Sequence, residues 1–288
     1  MNETPVSISS GGEQLIADVH VGGAEGVLLL PGWGGTRYGP QRILWQAAAA
    51  LAAAGFTTLR VDFRGRGDST GDPAAVTLDD MIADAVAAGH YLQTQQGVTR
   101  LHLVGLCSGG NVALGAAAQL PCAGHLVCWS LLPFMEHKAT AAKQGTPRAA
   151  LLTHYLRKAL QWESWVKLVR GEANVQGAVK TLARDKEGDA AEKRRKTSAR
   201  DILADLADFR GSLHLLFGSA DPEAAGSQAF FEGWRRQQGM AGHTRIIANA
   251  PHNYYTAQWT AEVIAQTVAW LAGEATTEGE SCEQPSGQ

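Results

Sequence analysis

The chain has 288 residues, of which 45% are hydrophobic and 18% charged, with a formal net charge of −3. That balance describes a folded globular protein rather than a disordered one, and it argues against an electrostatic grip on nucleic acid; the basic cluster at 193–196 sits among acidic neighbours and reads as a solvated face. No apolar run reaches the ~18 residues of a membrane-spanning helix, and the N-terminus lacks the basic and apolar segments of a signal peptide. The four cysteines follow no C-x-x-C or Cys/His metal spacing, so reduced thiols in the cytoplasm, with no metal and no cofactor, are the expectation.

Residues 6–21 alternate around Gly11-Gly12, which predicts an antiparallel hairpin at a sheet edge. Residues 27–31 (Val-Leu-Leu-Leu-Pro) form the continuous apolar run of a strand buried on both faces. The run ends in the loop Gly32-Trp33-Gly34-Gly35-Thr36, and an alanine-rich helix is predicted over about 40–54, closed by Gly55. Residues 57–63 read as the next strand, leading into a glycine-punctuated loop from Asp62 to Gly71, and a helix is predicted over about 77–95. A third apolar run, 101–106, stops at small residues, and helix-competent sequence follows over 111–120. Residues 125–132 are a further buried strand, ended by Pro133.

Strands alternating with helices predict a mostly parallel, doubly wound α/β sheet. Residues 134–208 change character: helical patterns appear around 148–171, and a charged stretch follows over 184–201. This segment reads as a helical cap inserted between core segments 1–133 and 209–273. The strand pattern resumes at 212–219, then helix 224–238, strand 244–248 and an amphipathic helix over 257–271. Residues 274–288 have the Glu/Thr/Ser/Gly/Pro composition of a disordered tail.

Chemistry in an open parallel sheet gathers at the carboxyl ends of its strands. Three residues lie just beyond such ends: Cys107, Asp221 and His252. Cys107 sits in Gly105-x-Cys107-x-Gly109, the G-x-S-x-G elbow with cysteine in the serine place. Glycines two residues either side are required because a Cβ there would collide with a neighbouring strand or helix. The helix N-terminus under Cys107 favours negative charge, on a thiolate or on an oxyanion. A histidine near the thiol and a carboxylate behind it complete a trio in the chain order nucleophile, acid, histidine: Cys107, Asp221, His252. Asp62 is the rival acid, with Asp68 and Asp72 in the same loop. His90 falls on a helix, while His102, His125 and His214 belong to the wrong end of the sheet; His137 and His154 lie in the insertion. Oxyanion donors are expected from the amides of Ser108 and Trp33. A shifted register would make Ser108 the nucleophile, although the glycine spacing centres on Cys107.

These motifs resemble the α/β-hydrolase superfamily over residues 13–272. Pro31-Gly32-Trp33 stands where that family carries His-Gly-x, Asp62-Phe-Arg-Gly-Arg-Gly-Asp-Ser69 resembles its D-x-R-G-x-G-x-S loop, and Gly218-Ser-Ala-Asp221 and Ala250-Pro-His-Asn253 resemble its acid and histidine loops. Residues 37–71 and Gly-Leu-Cys107 further resemble hydrolases of bacterial exosortase A systems, and an elbow cysteine is shared with dienelactone hydrolases. The departures are Pro31 for histidine and Cys107 for serine. The resemblance implies a hydrolase acting on a small-molecule ester, lactone or thioester through an acyl-Cys107 intermediate. An acyltransferase is the first alternative, and a binding protein on the same scaffold the second. The oligomeric state does not follow from the sequence.

Overall fold

Val27, Leu28, Leu29 and Leu30 are all fully buried, a pattern that arises when both faces of a sheet are covered. A computed structural model describes residues 3–133 and 198–273 and accounts for it. Eight strands among the described residues form one sheet in the order β1-β2-β4-β3-β5-β6-β7-β8. They are β1 (Thr4–Ser10), β2 (Glu13–His20), β3 (Glu25–Leu30), β4 (Thr57–Val61), β5 (Arg100–Leu106), β6 (Ala123–Trp129), β7 (Ser212–Gly218) and β8 (Thr244–Ile247). β1 pairs antiparallel with β2, and β2 with β4. Every later pairing, from β4–β3 to β7–β8, is parallel.

Because side chains alternate along a strand, each parallel strand feeds two cores. Leu28, Leu103, Leu126 and Leu215 point to one face, where they meet α2 (Leu78–Gln96), α3 (Ser108–Ala117) and α5 (Ala224–Gln237). Leu29, Val104, Val127 and Leu216 point to the other, under α1 (Ile43–Ala53) and α6 (Ala257–Leu271). Each fully buried leucine contributes roughly 1.5–3 kcal/mol of transfer free energy. Local signals start the helices where the apolar pattern requires. Thr77 caps α2 in a reciprocal capping box with Asp80, and the Thr256 hydroxyl accepts from the Trp259 amide at the head of α6.

Several predicted boundaries move. The turn before α1 is a separate 3-10 turn, Pro40–Arg42, with Gln41 and Arg42 at positive φ. Helix α3 begins at Ser108, three residues before the helix-competent run suggested, because small residues pack under the elbow. Strand β6 ends at Trp129 rather than 132. The expected cap is described only from residue 198 onward. There Ser198 and Ala199 bond to Asp79, and α4 (Ile202–Asp205) buries Ile202 and Leu203 in the core face that α3 shares. Residues 134–197, including the 148–171 helical patterns, and the expected tail at 274–288 lie outside the described residues.

Candidate active site

Cys107 follows the last residue of β5 and caps α3, with φ 55° and ψ −121°. A non-glycine residue holds such a conformation only where its surroundings over-determine it. Here they do. The Cys107 amide donates to the Trp129 carbonyl at 2.8 Å, and the Gly110 amide donates back to the Cys107 carbonyl at 3.0 Å. A Cβ on Gly105 would run into the Gly109 carbonyl, and one on Gly109 into the carbonyls of Leu30 and Pro31. The two glycines therefore let β5, α3 and the end of β3 pack backbone against backbone, forcing the sharp turn that presents Cys107.

The loop after β3 passes beside that turn. The position a Cβ would take on Gly32 lies 3.5 Å from Cys107 Cβ and 3.9 Å from Ser108 Oγ. The Gly35 amide closes a turn onto the Gly32 carbonyl at 2.9 Å, and Arg66 Nε donates to the Trp33 carbonyl at 3.2 Å. Arg66 thereby holds the orientation of the peptide that follows Trp33.

Asp221 lies beyond β7 and is 6% exposed. Its Oδ1 accepts from the Glu223 amide at 3.0 Å, and its Oδ2 lies 2.6 Å from His252 Nδ1. The acid and histidine loops are joined by their backbones, Ala220 N–H to Ala250 C=O at 3.0 Å and Ser219 N–H to Ile247 C=O at 2.9 Å. With Nδ1 engaged by Asp221, the other ring nitrogen of His252 is left for Cys107, and the two groups shift each other's protonation. The contact with Cys107 raises the His252 pKa, against the effect of burial, to about 9, and Asp221 adds to the rise. Burial pushes the Cys107 thiol up, yet the hydrogen bond and charge of His252, with the Ser108 amide and hydroxyl, bring it below the ordinary value. Both shifts run in the direction that favours a thiolate beside an imidazolium. Cys128, fully buried behind α3, is pushed the other way, up to about 12, by burial alone.

Asp62 is committed elsewhere. It is fully buried and accepts from the Arg37 amide at 2.6 Å, from the Arg37 guanidinium and from the Asp68 amide at 3.1 Å. Arg37 also bonds Asp18 and Asp68, both at 2.8 Å. This cluster ties the loop after β3 to the loop after β4.

Sequence reasoning passed over Ser130 and Tyr254. Both are fully buried and both have positive φ, 49° in each case. The Ser130 hydroxyl faces the His252 carbonyl at 2.8 Å and the Tyr254 hydroxyl at 2.9 Å; Tyr254 in turn donates to the Leu216 carbonyl at 3.0 Å. The available signal was a lone serine closing the apolar run of β6. Among the described residues no group of three or more His, Cys, Asp or Glu side chains could hold a metal ion. No described helix is long and apolar enough to cross a membrane.

A model of the alpha/beta hydrolase family matches residues 27–266. The chain belongs to the alpha/beta hydrolase family. Its eight-stranded, mostly parallel sheet with helices on both faces fits the alpha/beta hydrolase fold. It superposes on a dienelactone hydrolase from Anabaena variabilis with a TM-score of 0.62 at 18% identity, covering 96% of this chain and 99% of that one. An esterase from Pyrococcus furiosus gives a TM-score of 0.64, also at 18% identity, over 95% of this chain and 91% of that one. Human protein ABHD12B is 39% identical over 70 residues, a stretch spanning 24% of this chain and only 18% of that protein's length.

Proposed function

We propose that this alpha/beta hydrolase cleaves an ester, lactone or thioester through an acyl-cysteine intermediate. Cys107 is the nucleophile, His252 the proton carrier and Asp221 the group that fixes the imidazole. The amides of Trp33 and Ser108 receive the oxyanion. The observation that carries this reading is the joined trio: a strained elbow cysteine acidified by His252, whose Nδ1 stands 2.6 Å from buried Asp221. The neighbours named as a dienelactone hydrolase and an esterase are consistent with the bond class.

The reaction runs on the thiolate. Its sulfur attacks the acyl carbon, and the carbonyl π pair moves onto oxygen, where the two amides stabilise it. Collapse expels the alkoxide or thiolate leaving group, protonated by the His252 imidazolium. Neutral His252 then takes a proton from water as the water oxygen bonds to the thioester carbon; collapse breaks the C–S bond, releases the acid and restores the Cys107 thiolate beside the His252 imidazolium. Amides suit this site less well, because their leaving group departs only when strongly protonated. Cys107, Cys122 and Cys128 are unpaired, which fits a reducing compartment such as the cytoplasm.

A panel of aryl esters, lactones and acyl-thioesters tests the assignment on wild type, Cys107→Ala, Cys107→Ser, His252→Ala and Asp221→Asn. The reading expects kcat/KM to fall by about 10³-fold or more for Cys107→Ala and His252→Ala, and less for Asp221→Asn. Full activity in Cys107→Ala with loss in Ser108→Ala would move the nucleophile to the next residue.

A further inference from the structure

Ser108 carries more than its amide. Its hydroxyl oxygen is buried, and no hydrogen bond of ordinary geometry engages it. A buried hydroxyl left in that state is destabilising, so the fold gains nothing from it in the free protein. It lies where the reaction needs a donor. Ser108 is the first residue of α3, directly after the nucleophile, and its Oγ is 3.9 Å from the Cβ position of Gly32, whose loop carries the Trp33 amide. The same hydroxyl acts on the Cys107 sulfur. It therefore lies next to the attacking residue in the chain and close to the loop from which the second oxyanion donor is expected.

Resting on the Cys107 reading above, we propose that the Ser108 side chain is a third oxyanion donor and so a catalytic residue in its own right. When sulfur bonds to the acyl carbon, the carbonyl π pair becomes an oxyanion. That oxygen then accepts from the Trp33 amide, the Ser108 amide and the Ser108 hydroxyl. The hydroxyl keeps its proton throughout. On collapse the C=O bond re-forms, the leaving group departs with the proton from His252, and the hydroxyl returns to its unsatisfied state. Its hydrogen bond to that oxygen thus strengthens as the oxyanion forms, and an interaction stronger in the transition state than in the ground state is the kind that raises the rate. Serine at this position also explains why the small side chain is polar, although alanine would fill the same space without a buried, unsatisfied oxygen.

The test compares two reactions of one thiol. Acylation by p-nitrophenyl acetate builds an oxyanion, whereas alkylation by iodoacetamide displaces iodide at an sp³ carbon and builds none. In Ser108→Ala the pre-steady-state acylation rate is expected to fall about 10- to 100-fold. The alkylation rate, measured on its high-pH plateau, stays within about twofold and also shows that the site is folded. Ser108→Thr, which keeps the hydroxyl, is expected to recover most of the acylation rate. Wild-type acylation in Ser108→Ala, or equal losses in acylation and plateau alkylation, would overturn the proposal. Turnover surviving in Cys107→Ala would bring down the nucleophile assignment beneath it, a failure visible separately from the Ser108 comparison.

Discussion

The Ser130 hydroxyl lies 2.8 Å from the backbone carbonyl of His252, joining the end of β6 to the loop that carries the imidazole. Ser130 is held from the other side as well, its amide donating to the Leu216 carbonyl at 2.8 Å, while Trp129 beside it accepts from the Cys107 amide. One two-residue step thus touches both the Cys107 backbone and the His252 backbone. Removing the hydroxyl in Ser130→Ala should lower stability by about 1 kcal/mol and kcat/KM by roughly tenfold, because small displacements of a proton-transfer group are costly. Thermal unfolding and ester kinetics read both. Tyr254→Phe, which loses the hydroxyl bonded to Ser130 and Leu216, should move activity in the same direction; unchanged activity in both variants would remove the clamp from the account.

The thiolate–imidazolium pair has a pH signature. The Cys107 pKa is lowered and that of His252 raised to about 9, so the proposed mechanism expects a pH range in which thiolate and imidazolium coexist. Iodoacetamide alkylation should reach half its maximum at a lower pH than for an unperturbed thiol. In His252→Gln the lowering charge is gone and burial remains, so the midpoint should move above that of the unperturbed thiol. For ester acylation, kcat/KM should rise through the Cys107 pKa and fall again near pH 9, where His252 loses the proton that the leaving group needs. The two shifts have opposite signs for stability: the raised His252 pKa contributes below about 6.5 and is lost as pH climbs through about 9, whereas the lowered Cys107 pKa contributes above its ordinary value and is lost as pH falls.

Much of this arrangement was legible in the chain because it is written in local patterns. The apolar runs at 27–31, 101–106 and 212–219 announced doubly buried strands, and the glycines around Cys107 announced a close backbone crossing that the added-Cβ contacts bear out. Asp221 and His252 lay just after strand ends, where parallel topology brings loops together, and they stand 2.6 Å apart. What stayed hidden depends on tertiary partners. Asp62 also follows a strand end and passed as a rival acid; only the position of Arg37, 25 residues upstream, shows that its carboxylate is already occupied. Ser130 and Tyr254 each look like an ordinary strand-end or loop residue until the two loops are folded together.

Asp62 therefore yields a stability prediction rather than a catalytic one. Its carboxylate is fully buried against the Arg37 guanidinium, itself 6% exposed. Asp62→Asn leaves that buried cation short of a partner and should destabilise the protein by about 3 kcal/mol, read from denaturant unfolding. Activity per folded molecule should stay far closer to wild type than in Asp221→Asn. The reverse order would make Asp62 the acid.

At the opposite end of the sheet, histidines on three adjacent strands are linked in one directed chain. His102 Nε2 faces Glu25 at 2.9 Å, and its Nδ1 accepts from the His125 amide at 3.1 Å. Arg100 donates to His125 Nε2 at 3.3 Å, so neutral His125 carries its proton on Nδ1, toward the Ser212 hydroxyl; Ser212 then faces His214 Nε2 at 2.7 Å. His214 stacks on Trp270 and on His243, with Arg235 nearby. Burial first, then neighbouring positive charge, depresses His125 to about 4 and His214 to about 3. A depressed histidine pKa means that the unfolded chain binds more protons, so stability rises with pH. The contribution is complete above the unfolded value of about 6.5 and is lost as pH falls toward 4, at about 1.4 kcal/mol per pH unit for each such group. The melting temperature should fall across that window, and His125→Gln, which can still donate to Ser212, should flatten the slope. An equal slope in wild type and variant would mean that these histidines titrate normally.

The central claim is that the acyl group passes through the sulfur of Cys107, and intact-mass analysis of the enzyme quenched during turnover of p-nitrophenyl acetate tests it most directly. The account predicts a single acetyl adduct that maps to Cys107 by peptide mass, vanishes in Cys107→Ala and accumulates in His252→Ala once acylated with excess ester. An adduct on Ser108, or undiminished turnover with Cys107 blocked by iodoacetamide, would contradict it.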